Sequence, residues 1–99
     1  MDNQHRKING YRELGEADIA LMNRVKETGV ALEALIVDLR AHVHAQYAAL
    51  DELRLPSERD AELQRLVKAD PLRWIYAAEG ELQTALMKLT RSVAQPAVF

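Results

Sequence analysis

His42 and His44 are the first side chains in this sequence that could do chemistry, as paired metal ligands. Two positions apart on a helix, side chains point about 200° away from each other, so one ion cannot collect both. His5 is the only other histidine of the three, and no metal site is expected. Acidic neighbours are plentiful: Glu13 with Glu16, Asp51 with Glu52, Glu79 with Glu81. All stand among cations, where solvated charge and spacing-four ion pairs explain them better than acid–base catalysis. Ser57 and Ser92 are the only serines, and Ser57 reads as a helix cap. The four glycines are dispersed, so there is no glycine-rich phosphate loop. The absence of cysteine removes disulfides, thiolate catalysis and cysteine-based zinc sites. No catalytic constellation emerges, and neither enzymatic activity nor a cofactor is expected.

Ligand capture finds better material. Lys26 and Thr28 bracket the end of a first amphipathic segment, beside Gly29. A lysine ammonium is a mobile point charge suited to a phosphodiester. Tyr11 and Arg12 lie in the preceding arm, and a flat ring can stack on a base. The plainer reading of Lys26 is a cation favoured by the negative end of a helix dipole. Arg73 beside Trp74 has two readings as well. Either the indole fills the core while the guanidinium reaches water, or the two share an interface.

The elements that must position these groups are helical. Ninety-nine residues argue for one domain, and 48% hydrophobic with 28% charged residues reads as folded and soluble. A formal net charge of −2 gives no global field for DNA. The polar start is no secretory signal, and charges interrupt every apolar run before it could cross a membrane. Residues 1–15 read as an irregular arm with Gly10 and Gly15 as breakers. Ile19, Met22 and Val25 predict a short helix over 16–28, which Gly29 either stops or bends. Leu32, Leu35, Ile36, Leu39, Val43, Tyr47 and Leu50 predict a long helix over 30–54. Pro56 ends it, and Ser57 with Asp60 forms a capping pattern for another long helix over 57–94. Pro71 places a break or kink near 69–71 in that helix. Its apolar stripe is Leu72, Ile75, Ala78, Leu82, Leu86, Leu89 and Val93.

The expected fold is therefore all-α: an antiparallel helical hairpin with a short N-terminal helix and arm. Two long helices bury one seam, and a chain this small is marginal alone. Self-association through the long helices is expected to cover the rest. The alternative is that the short helix folds back over that surface.

Three stretches carry a resemblance to a known family: "HRKINGYREL", "ALMNRVKETG" and "LQTALMKLTRSVAQP". Together they resemble the small phage proteins that defeat the cyclic-oligonucleotide-based antiphage signalling system (CBASS), and the likeness extends over nearly the whole chain. The resemblance implies a cyclic-nucleotide sponge: a homo-hexamer that binds the bacterial messenger in the infected host's cytoplasm without cleaving it. It implies that cyclic dinucleotides such as 3′,3′-cyclic GMP–AMP (cGAMP) lie between protomers, with Tyr11 stacked on a base and Lys26 at the phosphates. Some relatives also hold cyclic trinucleotides at separate sites. Thr28 matches one residue of those sites and Arg73 is the best match for another, with Arg65 as competitor. Two rivals stand beside the sponge. One is a helical adaptor module with no small-molecule ligand. The other is a hydrolase of the same messenger, which lacks a visible base, nucleophile or metal cluster.

Overall fold

The structure, a computed structural model, describes residues 12–97. Every regular element among them is helical: α1 over Glu16–Ala48, a 3₁₀ turn over Ala49–Glu52, α2 over Pro56–Ala69 and α3 over Pro71–Ala94. Residues 12–15 lead into α1 without regular structure. At the entry, an Asp18 carboxylate oxygen accepts the Gly15 N–H at 3.0 Å. The Gly15 carbonyl accepts the Ile19 N–H, also at 3.0 Å. An acid three residues into a helix that reaches back to the residue before it satisfies an orphan donor and suits the positive dipole end.

The helix boundaries near Gly29 differ from the expected ones. In place of separate helices over 16–28 and 30–54, α1 runs unbroken through Gly29 to Ala48. The reason is packing. A Cβ added at Gly29 would lie 3.3 Å from Leu86 Cδ1, so this glycine makes room for a leucine of α3. Met22, Val25, Leu32 and Ile36 share its stripe at spacing three and four, each half-buried or buried. Their burial outweighs a helical glycine's cost of about 1 kcal/mol.

The other breaks come from backbone chemistry. Pro56 and Pro71 each open a helix, where a missing N–H removes no intrahelical bond. Asp70 ends α2 in the left-handed region, φ 48°, with its N–H donating to the Leu66 carbonyl at 2.8 Å. Gln95 repeats this device beyond α3, with φ 48° and a 2.8 Å bond to the Arg91 carbonyl. Ser57 is not the cap the sequence predicts. Leu55 holds that position with no side-chain cap bond, because Pro56 starts α2 one residue earlier.

The chain divides into two compact units. The described part of the first is 12–31 with 82–97. Within it α1 and α3 pair antiparallel as in a helical hairpin: Arg12 meets Val93 and Gly29 meets Leu86. The second unit is Leu32–Glu81 and contains the four buried side chains among the described residues: Ile36, Val43, Leu50 and Leu66. Three of these recur every seven residues, the spacing of one helix face meeting a single partner helix. Here Arg40 reaches Glu79 through two bonds, 2.7 and 3.3 Å, in a forked contact that joins α1 to α3.

The seam is narrower than the hydrophobic pattern implies. Leu35 and Leu39 of α1 and Leu89 of α3 belong to the predicted stripes, yet all are exposed. Trp74 is 65% exposed, so the reading in which it fills the core is wrong for this chain. The two glycines of the long helices make opposite forecasts. Gly29→Leu should cost about 1–3 kcal/mol by overpacking Leu86. Gly80→Ala should gain up to about 1 kcal/mol from helix propensity, because a Cβ there meets nothing within 4 Å. Thermal denaturation monitored by circular dichroism should show the two melting temperatures moving in opposite directions.

Candidate functional site

Tyr11, the predicted base-stacking residue, lies outside the described residues. Its chain neighbour Arg12 begins the described structure and is firmly held. One guanidinium nitrogen, Nη2, donates to the Val93 carbonyl at 2.8 Å and reaches an Asp18 carboxylate oxygen at 2.8 Å. Val93 lies in the last turn of α3, where a backbone carbonyl has no intrahelical partner. Arg12 therefore ties the base of the arm to the start of α1 and to the end of α3. Its Nε is buried without a hydrogen-bond partner among the described residues. The guanidinium hydrogen bond, with help from the Gly15 N–H, holds the Asp18 carboxyl below its ordinary value of 3.8.

Lys26 is exposed and sits well inside α1, not at a helix end. The dipole reading of this lysine therefore fails, because α1 continues for another twenty-two residues to Ala48 and the dipole acts only near the last turn. Lys26 makes no ion pair among the described residues. Thr28 is two positions away, about 200° around the helix, so the two side chains leave α1 on opposite faces.

The face bearing Thr28 lines an open cleft in the first unit, of about 320 Å³. Leu21, Arg24, Val25 and Thr28 come from α1, and Leu86, Leu89, Ser92 and Val93 from α3. Thr28 donates its hydroxyl to the Arg24 carbonyl at 2.8 Å, and Ser92 donates to the Leu89 carbonyl at 2.6 Å. Both hydroxyl hydrogens are spent on their own helices, which leaves lone pairs to accept from a ligand. Arg24 is the one charged residue in the lining among the described residues. Such a cleft suits an apolar body carrying an anionic or acceptor group. Sequence reading missed Arg24 and Ser92. The run Leu21, Arg24, Val25, Thr28 has helical spacing three, four and seven, which would have placed them together.

Arg73 belongs to the second unit and Thr28 to the first. Arg73 is exposed, with its guanidinium carbon 5.7 Å from the centroid of the Trp74 ring, a cation–π contact at the surface. Arg65, its competitor in the sequence, forms an ion pair with Glu62 one turn earlier on α2. His42 and His44 are both exposed on α1.

These features define a small all-helical protein with an ionic anchor at the root of its arm, an exposed mid-helix lysine and an open cleft. No established protein-family profile matches the chain. It is 45% identical over 105 aligned residues, 97% of each chain, to Anti-CBASS protein 2 of Pseudomonas phage JBD67. At that identity and coverage, the chain belongs to the phage anti-CBASS protein family.

The lowered Asp18 pKa fixes the sign of one pH effect. A carboxylate whose folded pKa is depressed contributes stability above its unfolded value and loses it as pH falls through the folded value. The Arg12–Asp18 contribution should thus be intact near neutrality and fade below about pH 4. Asp18→Asn should have a lower melting temperature than the parent at pH 7, and the gap should narrow by pH 3. Differential scanning calorimetry at the two pH values measures it.

Proposed function

We propose that this protein counters CBASS by binding cyclic nucleotide messengers in the infected cell and holding them intact. The single observation that carries this reading is its 45% identity, over 97% of the chain, to a phage protein named for opposing CBASS. Two physical features support it. Lys26 presents a cation at mid-helix, away from any cap and with no ion-pair partner among the described residues. The arm bearing Tyr11 starts at a guanidinium fastened at two points. No helix of the described residues is long and apolar enough to cross a membrane.

In the proposed mechanism Tyr11 stacks on a base and Lys26 meets the phosphates. A cyclic dinucleotide is nearly two-fold symmetric, and an interface between two protomers supplies two rings and two ammonium groups in matching symmetry. Each protomer then contributes half the charge that a dianion needs, so a chain of net charge −2 can still bind it. The exposed apolar side chains of the second unit, among them Leu35, Val37 and Tyr76, favour assembly. The proposed assembly is a homo-hexamer. Thr28 and Arg73 are the proposed contacts for cyclic trinucleotides.

Adding cGAMP at a hundred times its dissociation constant should stabilise the protein by about 2.7 kcal/mol. A melting scan will show this, and chromatography after heat release should recover the nucleotide uncleaved. Tyr11→Ala and Lys26→Ala should each abolish the shift while helix content stays at the parent level. An adaptor with no small-molecule ligand would show no shift, and a hydrolase would return linear product.

A further inference from the structure

We infer that Arg24 is the phosphate contact of the cleft that Thr28 lines, and that Ser92 completes this cleft as a site for one unit of a cyclic trinucleotide. The inference rests on the reading above that Thr28 meets such a ligand, and it adds the residues that hold it there. Arg24 and Thr28 are four positions apart on α1, so their side chains leave one face of the helix. Arg24 is exposed and makes no ion pair among the described residues, so its guanidinium donors are uncommitted. A guanidinium fork matches the oxygens of a phosphate. Ser92 faces the same cleft from α3, within the same unit. Thr28 and Ser92 give their hydroxyl hydrogens to the Arg24 and Leu89 carbonyls, at 2.8 and 2.6 Å. Their oxygens are left to accept, so the ligand must bring donors. The adenine amino group and the ribose 2′-hydroxyl are such donors. Val25, Leu86 and Leu89 supply an apolar wall for a base or sugar face. A volume of about 320 Å³ lies at the lower end for small-molecule sites, which suits one nucleotide unit better than a whole ring. Arg73 belongs to the second unit, whereas Arg24 stands in the cleft of Thr28 itself.

Helix geometry makes the test sharp. Arg24 and Lys26 are two positions apart on α1, about 200° around the helix. A cation acting only through its field serves any anionic ligand, whereas a contact serves one site. The experiment is a calorimetric titration of the full-length protein with cyclic triadenylate and, separately, with cGAMP. The variants are Arg24→Ala, Arg24→Lys, Ser92→Ala and Lys26→Ala, with helix content and oligomeric state measured on each. We expect Arg24→Ala to weaken cyclic triadenylate by about ten- to a hundredfold and to leave cGAMP affinity unchanged. Ser92→Ala should weaken cyclic triadenylate by about threefold. Arg24→Lys should fall between Arg24→Ala and the parent, since it keeps the charge and loses the fork. Lys26→Ala should show the reverse selectivity.

Nuclear magnetic resonance on the parent protein reads the contact without any substitution. The Arg24 Nε–H signal should shift on addition of cyclic triadenylate and stay in place with cGAMP. No shift with bound cyclic triadenylate, or equal affinity in Arg24→Ala and the parent, overturns the inference and leaves the trinucleotide reading of Thr28 standing. Equal losses for both nucleotides in Arg24→Ala overturn it as well, because they are the signature of charge acting at a distance. If the parent binds cGAMP and no cyclic triadenylate, the trinucleotide reading falls and the inference falls with it.

Discussion

The approach of Leu86 to Gly29 is the contact on which the rest of the structure depends. It lets α1 pass through a residue that ordinarily ends helices, and an uninterrupted α1 decides where every candidate side chain points. Lys26 becomes a mid-helix cation in place of a helix-end one. Thr28 turns into a cleft shared with α3, and Lys26 leaves from the opposite face. Had the helix stopped at Gly29, Lys26 would have stood in its last turn, where the helix dipole alone would explain it.

Stability in this chain is thinly spread. Only Ile36, Val43, Leu50 and Leu66 are buried among the described residues, all in the second unit. The first unit holds together through half-buried seam residues, a glycine–leucine contact and the Arg12 anchor. The ionic contacts are peripheral and offset by desolvation, so they specify register more than they add stability. Arg40 with Glu79 sets how α1 and α3 align in the second unit. Arg12 with Asp18 and Val93 does the same service for the arm in the first. Arg40 does so through a guanidinium fork on one carboxylate, and Arg12 through a single nitrogen that reaches two acceptors.

The all-helical class was legible because helical periodicity ran unopposed by any alternating pattern. Prolines were equally legible, since a residue without an N–H has few places in a helix. The misreadings have one cause. Gly29, Ser57 and Trp74 were judged by local preference: glycine as a stop, serine as a cap, tryptophan as core. Packing with Leu86 overrode the first. Pro56 pre-empted the second by opening α2 one residue before the serine. The third failed because Trp74 stands off the seam stripe, which is carried there by the half-buried Leu72 and Ile75. Of the candidate site, the residue types were legible and their grouping was not. Arg24 stands one turn before Thr28 on α1, but Ser92 joins them only when α1 lies beside α3.

Composition and spacing by themselves determined the helical class, the helix break at Pro71 and the absence of thiol chemistry. These follow from properties of single residues or of neighbours along one helix. The word order of the chain determined the family, because identity over nearly its whole length leaves little room for coincidence. Only the tertiary structure decided that Gly29 is a point of close approach, that Thr28 lines a cleft shared with α3 and that Arg12 is an anchor. Each of those depends on an atom distant in sequence: Leu86 for the glycine, the cleft-lining residues of α3 for the threonine, the Val93 carbonyl for the arginine. A one-dimensional pattern carries the preference of a residue but not the identity of the neighbour that overrules it.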